Sequence, residues 1–173
     1  FTSIRASQDK YRVLLEEIAE MIPKTNNTLT FPDFRDLSIN EIHFYPIAPD
    51  GNANGLSGVQ TVSDEFVEIV NSDENTFDLS GWSFSDNTEV RHVFPSGTKL
   101  VNGQALVLFG GSFTGDFKGS IVQTASTLAL NLGNNKESIF LNAPTGAPIF
   151  SVSYDSSGTF FTGGSLVRSP EIT

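Results

Sequence analysis

Asp64-Glu65-Phe66-Val67-Glu68-Ile69-Val70-Asn71, then Ser72-Asp73-Glu74-Asn75-Thr76, then Asp78-Leu79-Ser80-Gly81-Trp82-Ser83-Phe84-Ser85-Asp86 is the stretch on which the fold turns. Its first segment is rich in β-branched and aromatic residues, which suit a pleated, half-buried surface. Its last segment alternates, with Trp82 and Phe84 on one phase and Ser83 and Ser85 on the other. A period of two marks a strand with one buried face. The residues between are turn formers. The stretch therefore reads as two strands joined by a polar turn. Trp82, the only tryptophan, sits on the inward phase, and its large apolar area makes it a core anchor.

The same reading extends in both directions. Upstream, Leu37 to Tyr45 is a strand whose apolar phase slips from Leu37 and Ile39 to Ile42 and Phe44, and a bulge near Asn40-Glu41 reconciles the two. A long loop, 46–63, follows. Downstream, Val90 to Phe94 is a short strand closed by Pro95-Ser96-Gly97. Ala105 to Phe109 is apolar on both phases, as a central strand covered on both faces should be. Gly110 to Gln123 reads as a glycine-rich excursion. Leu128, Leu130 and Leu132 alternate with Ala129 and Asn131. Ser138 to Asn142 and Ile149 to Tyr154 are strands bounded by Gly and Pro turns, and Phe150, Val152 and Tyr154 share a face. About eight short strands with no helical period after Pro23 predict an all-β, antiparallel sandwich. Its expected core includes Phe66, Ile69, Trp82, Phe84, Val107, Leu130 and Phe150.

The strand Glu65-Phe66-Val67-Glu68-Ile69-Val70-Asn71 followed by Asp78-Leu79-Ser80-Gly81-Trp82-Ser83-Phe84-Ser85-Asp86 resembles the lamin tail domain family. Ile39-Asn40-Glu41-Ile42, Phe94-Pro95-Ser96-Gly97-Thr98, Gly103-Gln104-Ala105-Leu106-Val107 and Gly164-Ser165-Leu166-Val167-Arg168-Ser169-Pro170 fit in the same order. The resemblance covers residues 37–173. It implies an immunoglobulin-like β-sandwich and carries no catalytic residues with it. In animals the family occurs on nuclear filament proteins. In bacteria it resembles an accessory module of exported or cell-surface proteins, often beside hydrolase domains.

Residues 1–36 form a separate segment, an amphipathic helix and extended linker ahead of the 37–173 sandwich. Tyr11, Leu14, Ile18 and Met21 fall at spacings of three and four, Ser7 is the N-cap and Pro23 ends the helix. Docking on the neighbouring sheet, closing a preceding domain, and self-association all fit such a stripe. The helix is too short to resemble a filament rod, which favours the bacterial kind. The chain opens at Phe1 without an initiator Met, as expected of a mature chain or excised fragment. No apolar run reaches the ~18–20 residues of a membrane-spanning helix.

The net charge is −10, and residues 1–37 hold five basic and six acidic groups, so the sandwich carries most of the excess. That surface repels phosphate backbones, and no nucleic-acid partner is expected. There is no cysteine, hence no disulfide and no thiolate metal site. Both histidines, His43 and His92, fall inside expected strands. No nucleophile elbow, phosphate-cradling loop or dinucleotide fingerprint is present. Glu65 and Glu68 lie on opposite faces of one strand, unsuited to paired acid/base work. The chain is not expected to be an enzyme.

One constellation carries chemistry. Asp50, Asn52 and Asn54, followed by Gly55, supply oxygen ligands at alternate positions and then a glycine, the first half of a calcium loop. Thr61 stands where a bidentate glutamate would close it; Asp64 or Glu65 would supply the missing carboxylate if the loop folds back. Weakly bound calcium is thus the one cofactor the sequence suggests, a solvated turn being the alternative. The expected function is a non-catalytic interaction or anchoring module of an exported or cell-surface protein, with a protein partner. A carbohydrate-binding sandwich is the second reading. It requires coplanar exposed aromatics, for which Phe113, Phe117, Phe160 and Phe161 are the candidates. A hydrolytic enzyme is the third reading, and it requires a polar pocket of convergent carboxylates that the sequence does not announce.

Overall fold

A computed structural model describes residues 37–46, 53–54, 62–155 and 165–168. The chain divides into two units, Phe1–Pro32 and Asp33–Thr173, and every described residue belongs to the second. The expected helix over residues 1–24 lies outside the described residues, as do Asp50, Asn52, Phe160 and Phe161. Among the described residues no helix is long and apolar enough to cross a membrane.

The described residues form an all-β sandwich. Its strands are β1 (Leu37–His43), β2 (Phe66–Asn71), β3 (Phe77–Asp78), β4 (Ser83–Ser85), β5 (Val90–Val93), β6 (Lys99–Leu100), β7 (Ala105–Phe109), β8 (Ile121–Thr124), β9 (Lys136–Asn142), β10 (Pro148–Asp155) and β11 (Leu166–Val167). One sheet has the order β11-β1-β2-β7-β8 and the other β10-β9-β4-β5, with β3 and β6 as a separate two-stranded ribbon. The bulge in β1 falls where the apolar phase slips, between Ile39 and Glu41 of the ladder with β2. One extra residue there returns Ile42 to the buried phase and keeps both ends of the strand in the core.

The core between the sheets is built from the inward phases of both, including Ile39, Val67, Ile69, Leu106 and Leu108 from one and Phe84, Ile139 and Leu141 from the other. Trp82 and Leu79 enter it from the connection between β3 and β4, with Trp82 set edge-on to Phe77 at 5.2 Å. The turn after β2 is held by Asn71. This fully buried side chain donates to the carbonyls of Asn75 and Leu100 at 2.8 and 2.9 Å and accepts from Asp73 N at 3.0 Å. Three bonds from one buried amide satisfy a sharp reversal that has no ladder of its own.

Several expectations need correction. The sandwich is not wholly antiparallel: β7 and β8 pair in parallel, Leu106 opposite Ile121 through Phe109 opposite Thr124. The excursion after Phe109 is therefore a crossover that returns to its own sheet. Leu128 to Leu132 is not a strand. Leu128 and Asn131 have φ of 59° and 50°, left-handed values that no ladder accommodates. Leu130 and Leu132 still reach the core, whereas Leu128 is exposed.

Phe66 and Val107 belong to a different layer from the one expected. On β2 and β7 the inward phase is Val67, Ile69, Leu106 and Leu108, so alternation turns Phe66 and Val107 away. Val107 is buried outside the intersheet cluster. Phe66 stacks with His43 at 5.3 Å and packs on Phe109 at 5.6 Å. Ile69, Trp82, Phe84 and Leu130 lie in the intersheet core, and Phe150 packs against it half-buried.

Candidate functional site

Polar and aromatic side chains gather at two places, the loop end of β2 and β7 and the edge formed by β5 and β8.

At the loop end, Gly110 N donates to Glu65 O at 2.8 Å and Gly111 N to Ser63 O at 3.1 Å, prolonging the β2–β7 ladder past both strands. Only glycine fits at 110, because a Cβ there would collide with the Val62 carbonyl. Thr114 N then donates to Asn54 O at 2.6 Å, and Asn54 N to Asp64 Oδ1 at 3.3 Å. Of the four expected metal ligands, the structure thus brings Asn54 and Asp64 together, both buried. What joins them is the backbone amide of Asn54, so Asp64 serves as a loop staple in this arrangement. Among the described residues no group of three or more His, Asp or Glu side chains is placed to hold a metal ion.

Phe113 and Phe117, carried by the crossover, fold back on Phe109 at 5.7 and 5.5 Å and meet each other at 79°. Both are half-buried. An edge-to-face pair closes an apolar cluster; it does not present the coplanar faces that a sugar platform needs.

Glu65 enters the sandwich beside this loop. Its side chain is buried, and Oε2 accepts from Leu132 N at 3.1 Å. Burial pushes its carboxyl up to about 7, against the Leu132 and Asn131 amides and the Arg91 charge, which favour the ionised form. Tyr154 closes the same loop, donating its hydroxyl to Gly133 O at 2.9 Å. Burial, with Glu137 and Glu65 nearby, raises its phenol above the usual range.

At the other place, Asp86 caps the turn from β4 into β5. Its Oδ1 accepts from Thr88 N, Thr88 Oγ1 and Glu89 N at 2.7, 2.7 and 2.8 Å. Its Oδ2 accepts from Arg91 Nε and Nη2 at 2.8 and 2.6 Å in a buried pair, and Arg91 also bonds Glu89. Burial alone would raise the Asp86 carboxyl, but the Thr88, Glu89 and Arg91 donors together hold it below its ordinary value. Next on the strand, the buried His92 bonds Gln123 and Ser126. The turn residues Ser85-Asp86-Asn87-Thr88 are a signal from which the Asp86 cap is readable; nothing local points from His92 to Gln123.

Each of these groups directs its hydrogen bonds to a loop or a neighbouring strand, although Glu65 feels the Arg91 charge and lies near Tyr154. The arrangement is that of an immunoglobulin-like β-sandwich with stapled loops. Comparison with family models is specific: the lamin tail domain model matches residues 32–156, more than half the chain, and the chain belongs to that family. Comparison with curated proteins gives no match. The family is a non-enzymatic β-sandwich module of protein interaction.

Proposed function

We propose that this chain is a non-catalytic interaction and anchoring module of a larger exported or cell-surface bacterial protein, acting on a protein partner. One observation carries the reading: Asp64, Glu65, Asp86, Arg91 and His92, all buried and ionisable, are hydrogen-bonded to loops or neighbouring strands. A reaction centre needs such groups aimed at a common point within hydrogen-bond reach of a substrate. The acidic surface supports a protein partner over a polyanion. The edge-to-face packing of Phe113 against Phe117 weighs against the carbohydrate reading. A weak calcium site formed by Asp50, Asn52, Asn54 and Asp64 belongs to the same proposal, as an ordering element for the loop rather than a reactive centre.

The test is retention of the full chain, fused to a reporter, on bacterial envelope fractions and on purified polysaccharides. Retention by envelope that is lost when the envelope is first treated with protease is the expected result. Retention by polysaccharide, unaffected by protease, would transfer the function to carbohydrate binding.

A further inference from the structure

The two sheets end side by side, one on β5 and the other on β8, and a single run of side chains joins these edges. Gln123 Nε2 on β8 donates to Thr98 Oγ1 at 3.1 Å, and Gln123 Oε1 lies 2.8 Å from His92 Nε2 on β5. The Ser126 hydroxyl lies 3.0 Å from His92 Nδ1. With an amide oxygen facing Nε2, that nitrogen carries the hydrogen, and Nδ1 accepts from Ser126. The segment after β8 covers the outer edge of β5: Thr127 N donates to Arg91 O at 3.2 Å, and Val93 N reaches Ser126 Oγ at 3.4 Å. Among the described residues β8 has one ladder partner, β7, and all four of its residues are only half-buried. Its position is shared among the β7 ladder, the bond from Ala125 N to Phe109 O at 2.8 Å, the burial of Ala125 in the core and the His92 connection, of which only the last can take up a proton.

The groups that face His92 are uncharged: Gln123 from β8, Ser126 from the segment after it, and the Phe94 ring set edge-on at 4.9 Å. The neighbouring Arg91 is held by Asp86 and Glu89, so neither carboxylate answers a charge on His92. An imidazolium at this position could still donate to Gln123 and Ser126. What it would lack is hydration or a counter-ion, and a buried uncompensated charge is costly.

We infer that His92 is an acid-released latch: taking up one proton, it lets β8 and residues 125–128 swing away from β5, exposing the β7 edge beneath while the rest of the sandwich stays folded. Burial already depresses the imidazole below its ordinary range, in line with the geometry. The direction follows from linkage. The opened state binds the proton more readily than the closed one, so opening increases as pH falls below the ordinary imidazole value of about 6.5. With one proton per opening, the opening constant rises by at most about tenfold per pH unit.

Amide hydrogen exchange of the full chain between pH 7.5 and 5, followed residue by residue and corrected for intrinsic rates, reads this out. The expected result is that the amides of Gln123 and Ala125, which face β7 as the bond from Ala125 N to Phe109 O shows, open up to about tenfold more often per pH unit of acidification. They should do so at least about tenfold more often than Ile69 at pH 5, the mark of a local event. In His92→Gln the slope for β8 should vanish. A flat profile for β8 in the wild type, or opening constants for β8 and Ile69 that coincide at pH 5, would overturn the latch. Should His92→Gln fail to fold, the imidazole ¹⁵N titration of the wild type is set against its β8 exchange profile: a midpoint below the ordinary range together with β8 opening that rises with acid supports the latch, and a midpoint at or above that range, or a flat β8 profile, overturns it.

Discussion

Tyr154 stacks on Phe44 at 4.6 Å between ring centres and donates its hydroxyl to Gly133 O at 2.9 Å. One side chain near the end of β10 thereby joins the residue just past β1 to the loop ahead of β9. Removing only the hydroxyl, Tyr154→Phe, should cost about 1 kcal/mol, the net worth of one such bond. Tyr154→Ala should cost about 3–5 kcal/mol by emptying a buried aromatic site. Urea denaturation of both variants measures the difference, and equal losses would show that the hydroxyl is the main contribution.

Trp82 lies in the core, edge-on to Phe77, and its backbone continues the ladder to Phe94 through Phe94 N to Trp82 O at 2.9 Å. Trp82→Ala is expected to destabilise the domain by roughly 3–5 kcal/mol. A denaturation midpoint close to wild type would remove Trp82 from the core.

Asp86 and Arg91 form the buried ion pair at the turn between β4 and β5. Asp86→Ala leaves the buried guanidinium only the exposed Glu89 as a charged partner and also removes the turn cap, so a loss of about 3–5 kcal/mol is expected. Replacing both residues by apolar ones should cost less than the single change, because no charge is then left unpaired. A double variant less stable than Asp86→Ala would contradict that ordering.

The limits of what the sequence reveals follow the range of the interactions. The β1 bulge is readable because a slipped apolar phase has one local remedy, and Trp82 and Phe84 are readable because their strand alternates. Strand β8 is not. Ile121 to Thr124 follows a glycine-rich run, and its parallel pairing with β7 is a tertiary event without a local signature. Leu128 to Leu132 alternates like a strand, yet bonds from Thr127 to Arg91 O and from Leu132 N to Glu65 hold it in left-handed turns. Phe66 looks like core from its composition. Only the ladder's phase reveals that it faces away from Ile69. At the candidate sites the sequence offers Asn54 and Asp64 as ligands, while their bond in the fold is a backbone staple.

Calcium distinguishes these two roles of Asp64. With one or two carboxylates and two amides, the proposed loop should bind with a dissociation constant of about 10⁻⁴–10⁻³ M, the range of weak extracellular modules. Calcium in large excess should then stabilise the fold by up to about 2.7 kcal/mol, seen as a higher melting temperature than in chelator. Asp50→Ala should abolish the calcium effect and leave the melt in chelator unchanged. Asp64→Ala should lower stability in both media, because it also removes the staple to Asn54. Superimposable melts with calcium and chelator would eliminate the metal site and leave the staple alone.

The claim that the buried ionisable groups are structural is tested most directly at Glu65, by chemical denaturation of wild type and Glu65→Gln at pH 5 and pH 8. Its carboxyl is raised by burial to about 7, against 4.5 for an unperturbed group. A raised carboxyl contributes stability that is present in full below the unfolded value and is lost as pH rises through the folded one. Wild type should therefore lose roughly 2–3 kcal/mol more than Glu65→Gln between pH 5 and pH 8. Parallel losses in the two proteins would mean that Glu65 titrates as a solvated group, contradicting the structural role argued for it.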